Sequence, residues 1–372
     1  MKVASREGFV GRRRELQRCL AALRPSDPGT GPPVLVLHGM GGLGKSTLAA
    51  RLLDRLRHSH AHQAVWVGKV DDLEVGKLTQ RINVDSDTHQ RVNELLSKPG
   101  IPLVDRLVFV LDGPLADTPC VFVFDDFERG NLDDDGQGGH VCTPEALDVV
   151  TAFAAAIART ASPSRVIVTS RHDFPLPTRV RAVRESLLEL SGTDLDKKLR
   201  LTQHLGPTST IDPAVRDRAI AAASGIPRLI ERLDRVVADP QIDVAALLDA
   251  ITETTVEYRE EILAERLLSA QRPEVRQVLG LASVYEIPVP EPAIMALDPS
   301  QSVAGPLARA VAVGLIESGV HPGTGGTRYL VSNLLKPLIE GCPEQLTADD
   351  RTTAVARAAR ALYRLWVGSR GE

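Results

Sequence analysis

The stretch PVLVLHGMGGLGKSTLAARLL, residues 33–53, decides how this chain is read. Val34 to Leu37 is an apolar, partly β-branched run of the length of a buried strand. It breaks into Gly39, Met40, Gly41, Gly42, Leu43, Gly44, Lys45, Ser46 and Thr47, then continues as a helical pattern rich in Leu, Ala and Arg. Strand, glycine loop and helix in that order are the context a phosphate-binding loop needs. Glycines let backbone N–H groups fold around phosphate oxygens at a helix N-terminus, where the helix dipole favours an anion. In this reading Gly39, Gly41, Gly42, Leu43, Gly44, Lys45, Ser46 and Thr47 hold the nucleotide. Lys45 reaches the β- and γ-phosphates, and Ser46 holds Mg²⁺.

The surrounding composition sets limits. With 372 residues the chain has room for two or three domains. Hydrophobic residues make up 43% and charged residues 25%, a normal globular balance. The net charge of -4 supplies no global attraction to nucleic acid or to anionic membranes. Cys19, Cys120, Cys142 and Cys342 lie far apart without metal spacing and read as reduced thiols. The first residues, MKVASREGFV, form no apolar leader, and no run of about 18 apolar residues could span a membrane. The expectation is a cytoplasmic protein with no membrane partner.

Working outward toward the N-terminus, Phe9, Val10, Gly11 and Arg12 open a helical pattern, Arg13 to Leu23. Toward the C-terminus, Ala64 to Gly68 reads as a second strand, and residues 70–110 as mostly helical. His58, His60 and His62 alternate, but no Cys or carboxylate cluster adjoins them, so they read as a solvated helix end. Thr118 to Phe124 rises into a strand ending at Asp125 and Asp126, a Walker B pattern. Apolar residues bury such a strand and deliver a carboxylate beside the phosphate loop. Asp125 would bind Mg²⁺ largely through water, because that ion keeps much of its hydration shell. Asp126 or Glu128 could orient or deprotonate the attacking water. Glu128 to His140 has no periodicity and reads as a loop, and its acidic run lacks the spacing of a calcium site. Thr143 and Pro144 start a helix running to about Ala161. Arg165 to Thr169 is a further strand, from which Arg171 emerges placed to sense a γ-phosphate. A fifth short strand is expected around Leu187 to Leu190; the resemblance of these motifs to the ASCE division of P-loop ATPases implies one strand inserted between the phosphate-loop and Walker B strands.

Beyond Thr193 the pattern turns helical. One helix begins at Asp212-Pro213 and ends at Ser224-Gly225, and Pro227 opens the next. Arg272 to Val284, Glu291 to Leu297 and Gly305 to Val313 are helical. Leu315 to Val320 and Arg328 to Ser332 are β-like runs around a Gly-rich loop. Leu346 to Trp366 is an amphipathic helix.

Val10-Gly11-Arg12, GMGGLGKST, VFVFDD, VTSR and GIP in this order resemble STAND-class P-loop ATPases, the group containing NB-ARC and NACHT switches. The resemblance covers roughly residues 9–340. It implies an α/β P-loop NTPase fold of the ASCE type, a parallel sheet sandwiched by helices, followed by an all-α lid and a winged-helix domain. The corresponding boundaries are 1–195, 196–270, 271–342 and, for the start of a C-terminal helical arm, 343–372. It further implies that Val10, Gly11 and Arg12 lie over the adenine, that Pro227 packs on it, and that Arg171 contacts the γ-phosphate. The family's Met-His-Asp triplet, whose His meets the ADP β-phosphate, is replaced here by Val331-Ser332-Asn333. Ser332 can donate a hydrogen bond there but cannot titrate as His does. The implied activity is slow ATP hydrolysis in an ATP/ADP switch that controls opening and oligomerisation in signalling or defence. Its implied partners are nucleotide, further copies in the ATP state, and effector and sensor domains on this or another chain. The alternative is a DNA-acting AAA+ ATPase of the origin-recognition type, or the ATPase core of a transcription regulator. Against DNA stands the candidate winged helix: between Tyr285 and Cys342, Arg309, Arg328 and Lys336 face five acidic residues. Nucleic acid is therefore not the expected partner.

Overall fold

Val34–His38 forms the strand the glycine loop requires, and the main sheet is built around it. The structure is a computed structural model, and it describes residues 9–24, 31–57, 59, 62–298, 303–320, 325–332, 334–342 and 346–367. His58, His60, the leading residues 1–8 and the expected wing loop at 321–324 lie outside these. The chain divides into two compact units, Met1–Leu201 and Thr202–Glu372.

The first unit runs α1 (Arg13–Leu23), β1 (Val34–His38), α2 (Lys45–Leu56), β2 (His62–Val67), α3 (Asp72–Gly76), α4 (Ser86–Leu96) and α5 (Leu103–Leu111). There follow β3 (Cys120–Asp125), α6 (Glu128–Asn131), β4 (Leu132–Asp134), β5 (His140–Cys142), α7 (Pro144–Arg159), β6 (Arg165–Ser170), β7 (Ala182–Ser186) and α8 (Gly192–Leu199). The sheet has the order β2-β3-β6-β1-β7, with every pairing parallel. The expected insertion of one strand, β6, between β1 and β3 is present. Parallel strands need helical crossovers that cover both faces, which explains why β1, β3 and β6 are buried along nearly their whole length and carry apolar runs in their middles. Val34, Val36, Phe122, Phe124, Val166 and Val168 share one core with α5 and α7. The alternate residues Leu35, Leu37, Val121, Val123 and Ile167 are equally buried, on the face that α1 and α2 cover. Aromatics are only 3% of the chain, yet they concentrate in the first core. Trp66 lies 5.3 Å from Phe124, and Phe122 lies 4.7 Å from Phe153, centroid to centroid.

Two expectations in this unit are corrected. The fifth strand is Ala182–Ser186, not residues 187–190. It is a half-polar edge strand, and Glu185 within it pairs with Arg18 of α1, so it lacks the apolar signature of the inner strands. Residues 128–140 are not all loop. A short turn, α6, breaks at Gly130 (φ +81) and leads into the antiparallel hairpin β4–β5. Its strands are three residues each, too short for alternation to be read. The hairpin is anchored beside β6, where the rings of His140 and His172 stack at 3.6 Å. Burial pushes the thiols of Cys19, Cys120 and Cys142 up to about 12, which leaves them protonated and unreactive at neutral pH.

The second unit comprises α9 (Pro213–Ala223), α10 (Pro227–Val236), α11 (Val244–Glu253), α12 (Arg259–Ser269), α13 (Pro273–Ala282), α14 (Glu291–Met295) and α15 (Ala304–Ala312). The hairpin of β8 (Ile316–Val320) and β9 (Thr327–Val331), then α16 (Leu335–Glu340) and α17 (Ala348–Val367), complete it. Proline occupies the first turn of α9, α10 and α13, where its missing N–H costs nothing. Val289 adds a bridge to Tyr329 of β9, with reciprocal bonds of 2.8 and 3.0 Å. No helix among the described residues is long and apolar enough to cross a membrane.

Candidate functional site

The three inner strands β3, β6 and β1 end side by side, and their C-terminal ends carry the residues singled out from sequence. In open parallel sheets ligands bind outside these ends. After β1 the loop turns through Gly39 (φ +135), Gly42 (φ +75) and Gly44 (φ +93) into α2. Gly39 cannot be replaced without strain: a Cβ there would lie 2.5 Å from the carbonyl oxygen of Leu187. The Lys45 ammonium donates to the carbonyls of Gly39 (2.6 Å) and Met40 (2.8 Å), inside the loop it belongs to. Gly44 sits at the N-cap, so the first N–H groups of α2 open into the loop.

Asp125 closes β3 and is buried. The hydroxyl of Thr169, on β6, donates to its Oδ1 at 2.6 Å, and the Ser46 hydroxyl also bonds its carboxylate. Burial pushes the Asp125 pKa up, helped by the charge of Asp126, and the two hydroxyls only partly offset it. A hydroxyl and a buried carboxylate in mutual contact are hard oxygen donors of the kind Mg²⁺ takes. The residues present thus fit the ion; Ser46 and Asp125 would hold it, and it would supply charge neutralisation for the phosphates.

Asp126 lies in the left-handed region (φ +52), and its N–H donates to Thr169 Oγ1 at 3.1 Å. That turn sends Phe127 into the core, where its N–H bonds Thr169 O at 2.9 Å. Glu128 then meets Arg171: the Arg171 N–H donates to Oε2 at 3.1 Å, and its guanidinium Nε lies 3.3 Å from Oε1. Burial raises the Glu128 pKa, helped by the charge of Asp126 and opposed by that of Lys45. Arg171 itself is about half exposed. The structure thus brings Lys45, Ser46, Asp125, Asp126, Glu128 and Arg171 to one end of the sheet.

The segment before α1 reaches the same place. Gly11 (φ +76) and Arg12 (φ +59) form a left-handed pair, and a Cβ on Gly11 would press on Asp194 at 3.0 Å. The Arg12 guanidinium is buried; it donates to the carbonyls of Leu188 and, at 3.3 Å, of Leu43, and it pairs with Glu15. Arg12 therefore fastens the Val10–Gly11 segment to the phosphate loop. Phe9 lies under the Arg51 guanidinium at 5.9 Å.

Pro227 and Ser332 belong to the second unit. Pro227 is the first residue of α10, preceded by Ser224 (φ +47) and Gly225 (φ +71), and Arg259 donates to Ser224 Oγ at 2.5 Å. Ser332 is half-buried after β9, and its carbonyl accepts from Leu335 N at 2.9 Å. Asn333 lies outside the described residues. Sequence reasoning missed the part played by Thr169, which ties β6 to both acids at the end of β3. A hydroxyl two residues before Arg171, directly after the apolar run Val166–Val168, was the available signal.

Comparison with known proteins agrees with this geometry. Residues 8–168 match the AAA ATPase domain family. No curated protein matches the chain. Among solved structures, a STAND (Signal Transduction ATPase with Numerous Domains) protein with a tetratricopeptide repeat sensor from Pyrococcus horikoshii is similar at 16% identity and TM-score 0.57. That match covers 96% of this chain and 45% of that one. The chain thus spans less than half the length of that protein. The Aeropyrum pernix ORC2 protein, solved as ADPNP-ADP complexes, matches at 13% identity and TM-score 0.41 over 95% and 99% of the two chains. The Aeropyrum pernix ORC1 protein, solved in complex with DNA, matches at 16% identity and TM-score 0.40 over 90% and 93%. The phosphate loop, the acid-bearing strand end and the domain match together define an ATP-hydrolysing enzyme of the P-loop class. The expectation that nucleic acid is not a partner finds no support in these comparisons.

Proposed function

We propose that the chain is an ATP/ADP-binding switch of the STAND type. It hydrolyses ATP slowly, and the bound nucleotide sets its opening and self-association in a signalling or defence system. The observation that carries the reading is Arg171, which follows the strand between β1 and β3 with its guanidinium beside Glu128, whose charge Lys45 also meets. A cation there meets the γ-phosphate of ATP and has nothing equivalent to meet in ADP. A ligand shifts a conformational equilibrium only by its differential contacts with the two states, and Arg171 supplies one.

The elements of the second unit support the same reading. Helices α9 to α12, with Pro227 opening α10, suit a lid over residues 196–270. Helices α13, α14 and α15 with the β8–β9 hairpin and the Val289 bridge suit a winged helix over 271–342. Arg309, the base on the candidate recognition helix, donates to Asp239 and, at 3.0 Å, to Gln271 Oε1. A guanidinium spent internally is poorly placed for phosphate contacts, which favours the switch over the DNA-acting alternative.

Sedimentation velocity of the chain with ADP and with a non-hydrolysable ATP analogue tests this. The switch predicts a larger or more extended species with the analogue. Identical profiles, together with salt-sensitive duplex DNA binding, would replace it with the DNA-acting reading.

A further inference from the structure

We propose that self-association joins two different surfaces of the first unit: the acidic β4–β5 hairpin of one copy docks on the arginine-bearing outer side of α1 and α2 of the next. This deepens the switch reading and rests on it. Charge is segregated within this unit. Residues 130–158 carry Asp133, Asp134, Asp135, Glu145 and Asp148 and no Lys or Arg. Residues 12–24 carry Arg12, Arg13, Arg14, Arg18 and Arg24 against one acid, Glu15, in a chain whose net charge is -4.

Helices α1 and α2 lie side by side and run the same way. At their starts Arg12 donates to Leu43 O at 3.3 Å, and at their ends Arg24 donates to Arg55 O. Their exposed positions carry Arg13, Arg14, Arg18, Arg24, Arg55 and Arg57. Arg18 is paired with Glu185, and Arg57 with Asp54 at 3.4 Å. Arg13 and Arg14 form no ion pair among the described residues. They also stand in the first turn of α1, the helix end whose dipole disfavours a cation. Nothing local stabilises two guanidiniums there, and carboxylates arriving from another copy would.

The hairpin is their counterpart across the sheet. It leads into α7, which packs on the face opposite α1 and α2, and at the junction Thr143 N donates to Asn131 O at 2.9 Å. Asp133, Asp134 and Asp135 are all exposed. Asp135 Oδ1 accepts from Gln137 N and Gly139 N at 2.8 Å each, which fixes the turn and pulls the pKa of this carboxyl down. At the base, buried Asn131 accepts from Val70 N at 2.8 Å and donates to Gly68 O and Phe127 O at 2.8 and 2.9 Å. A charged tip fixed in this way docks with little ordering cost. Because the two surfaces differ and lie on opposite faces, the contact is heterologous and copies add head to tail. Both surfaces also join the nucleotide end. The hairpin follows Glu128, which holds Arg171, and Arg12 ties α1 to the phosphate loop, so bound nucleotide has a route to the contact.

The test is sedimentation velocity of the full chain with a non-hydrolysable ATP analogue. Arg13→Glu/Arg14→Glu reverses the helix side and places acids where the dipole favours them, so its melting temperature should not fall. Asp133→Lys/Asp134→Lys reverses the hairpin and leaves the turn bonds of Asp135 in place. Each double variant alone should associate at least about 10-fold more weakly than wild type. An equimolar mixture of the two should return to within about 3-fold of wild type, because reversed hairpin then meets reversed helices and the two native surfaces meet each other. Variants that associate as wild type does, or a mixture that stays apart, would overturn the docking and leave the switch standing. A wild type that stays single with ADP and with the analogue would overturn both. Duplex DNA binding that is lost in Arg13→Glu/Arg14→Glu, with self-association unchanged, would reassign this side to nucleic acid.

Discussion

Replacing Thr169 by Val tests the site where it is most tightly built. The substitution preserves shape and removes one hydroxyl. That hydroxyl is fully buried, donates to Asp125 Oδ1 at 2.6 Å and accepts from Asp126 N at 3.1 Å. A hydrogen bond to a charged group is worth about 1.5–3 kcal/mol, and a buried N–H left without a partner costs about 1–3 kcal/mol. The extra buried methyl returns about 1 kcal/mol. The net loss should be about 1.5–5 kcal/mol, borne by the first unit. Urea unfolding read from Trp66, in a Trp366→Phe background, isolates that unit's core. At a slope of about 2 kcal/mol/M the midpoint should drop by about 0.8–2.5 M with the slope unchanged. Thr169→Ser, which keeps the hydroxyl, should lose about 1 kcal/mol or less. A Val variant within about 0.5 kcal/mol of wild type would refute the reasoning, because the hydroxyl would then not bear on the two acids.

Three further outcomes follow from other parts of the site. Gly39→Ala should cost about 2–4 kcal/mol and abolish nucleotide binding, because a Cβ would meet Leu187 O at 2.5 Å; Gly136→Ala, also at positive φ but with open space, should cost only about 1–2 kcal/mol by thermal or urea unfolding. Arg171→Ala should weaken binding of a non-hydrolysable ATP analogue about 10-fold while ADP affinity changes by less than about 3-fold, as measured calorimetrically; equal losses would remove the sensor role. The raised pKa of Glu128 means that the folded chain binds this proton more tightly than the unfolded one. This group therefore adds stability below its ordinary value of 4.5 and withdraws it as pH rises through its folded pKa. The stability of the nucleotide-free wild type relative to Glu128→Gln should thus fall as pH rises above about 4.5; a difference that grows with pH would reverse the sign of the argument.

Legibility in the sequence followed burial. β1, β3 and β6 are covered on both faces, so their continuous apolar runs announced them, and the glycine loop and Asp125 could be placed from them. β7 has one neighbour and carries Arg184, Glu185 and Ser186, so the apolar run at 187–190 drew the expectation five residues too far along. The β4–β5 hairpin is held by its surroundings, including the His140–His172 stack, which joins residues 32 positions apart that no local pattern links. The site residues were legible as types at strand ends. Their division of labour was not, because it depends on how the chain turns between Asp125 and Glu128. A positive φ at Asp126 followed by a buried Phe127 sets that turn, and both are tertiary facts. Arg12 illustrates the same limit: the resemblance places it near the base, and the structure finds it clamping Leu188 and Leu43 carbonyls.

The central claim, that this chain holds a nucleotide as a latch, is tested most directly by denaturing the purified protein and identifying what it releases. The account predicts about one ADP per chain, absent from Lys45→Ala prepared alongside, and slow steady-state turnover of added ATP. Protein that releases no nucleotide and turns over ATP rapidly would contradict it.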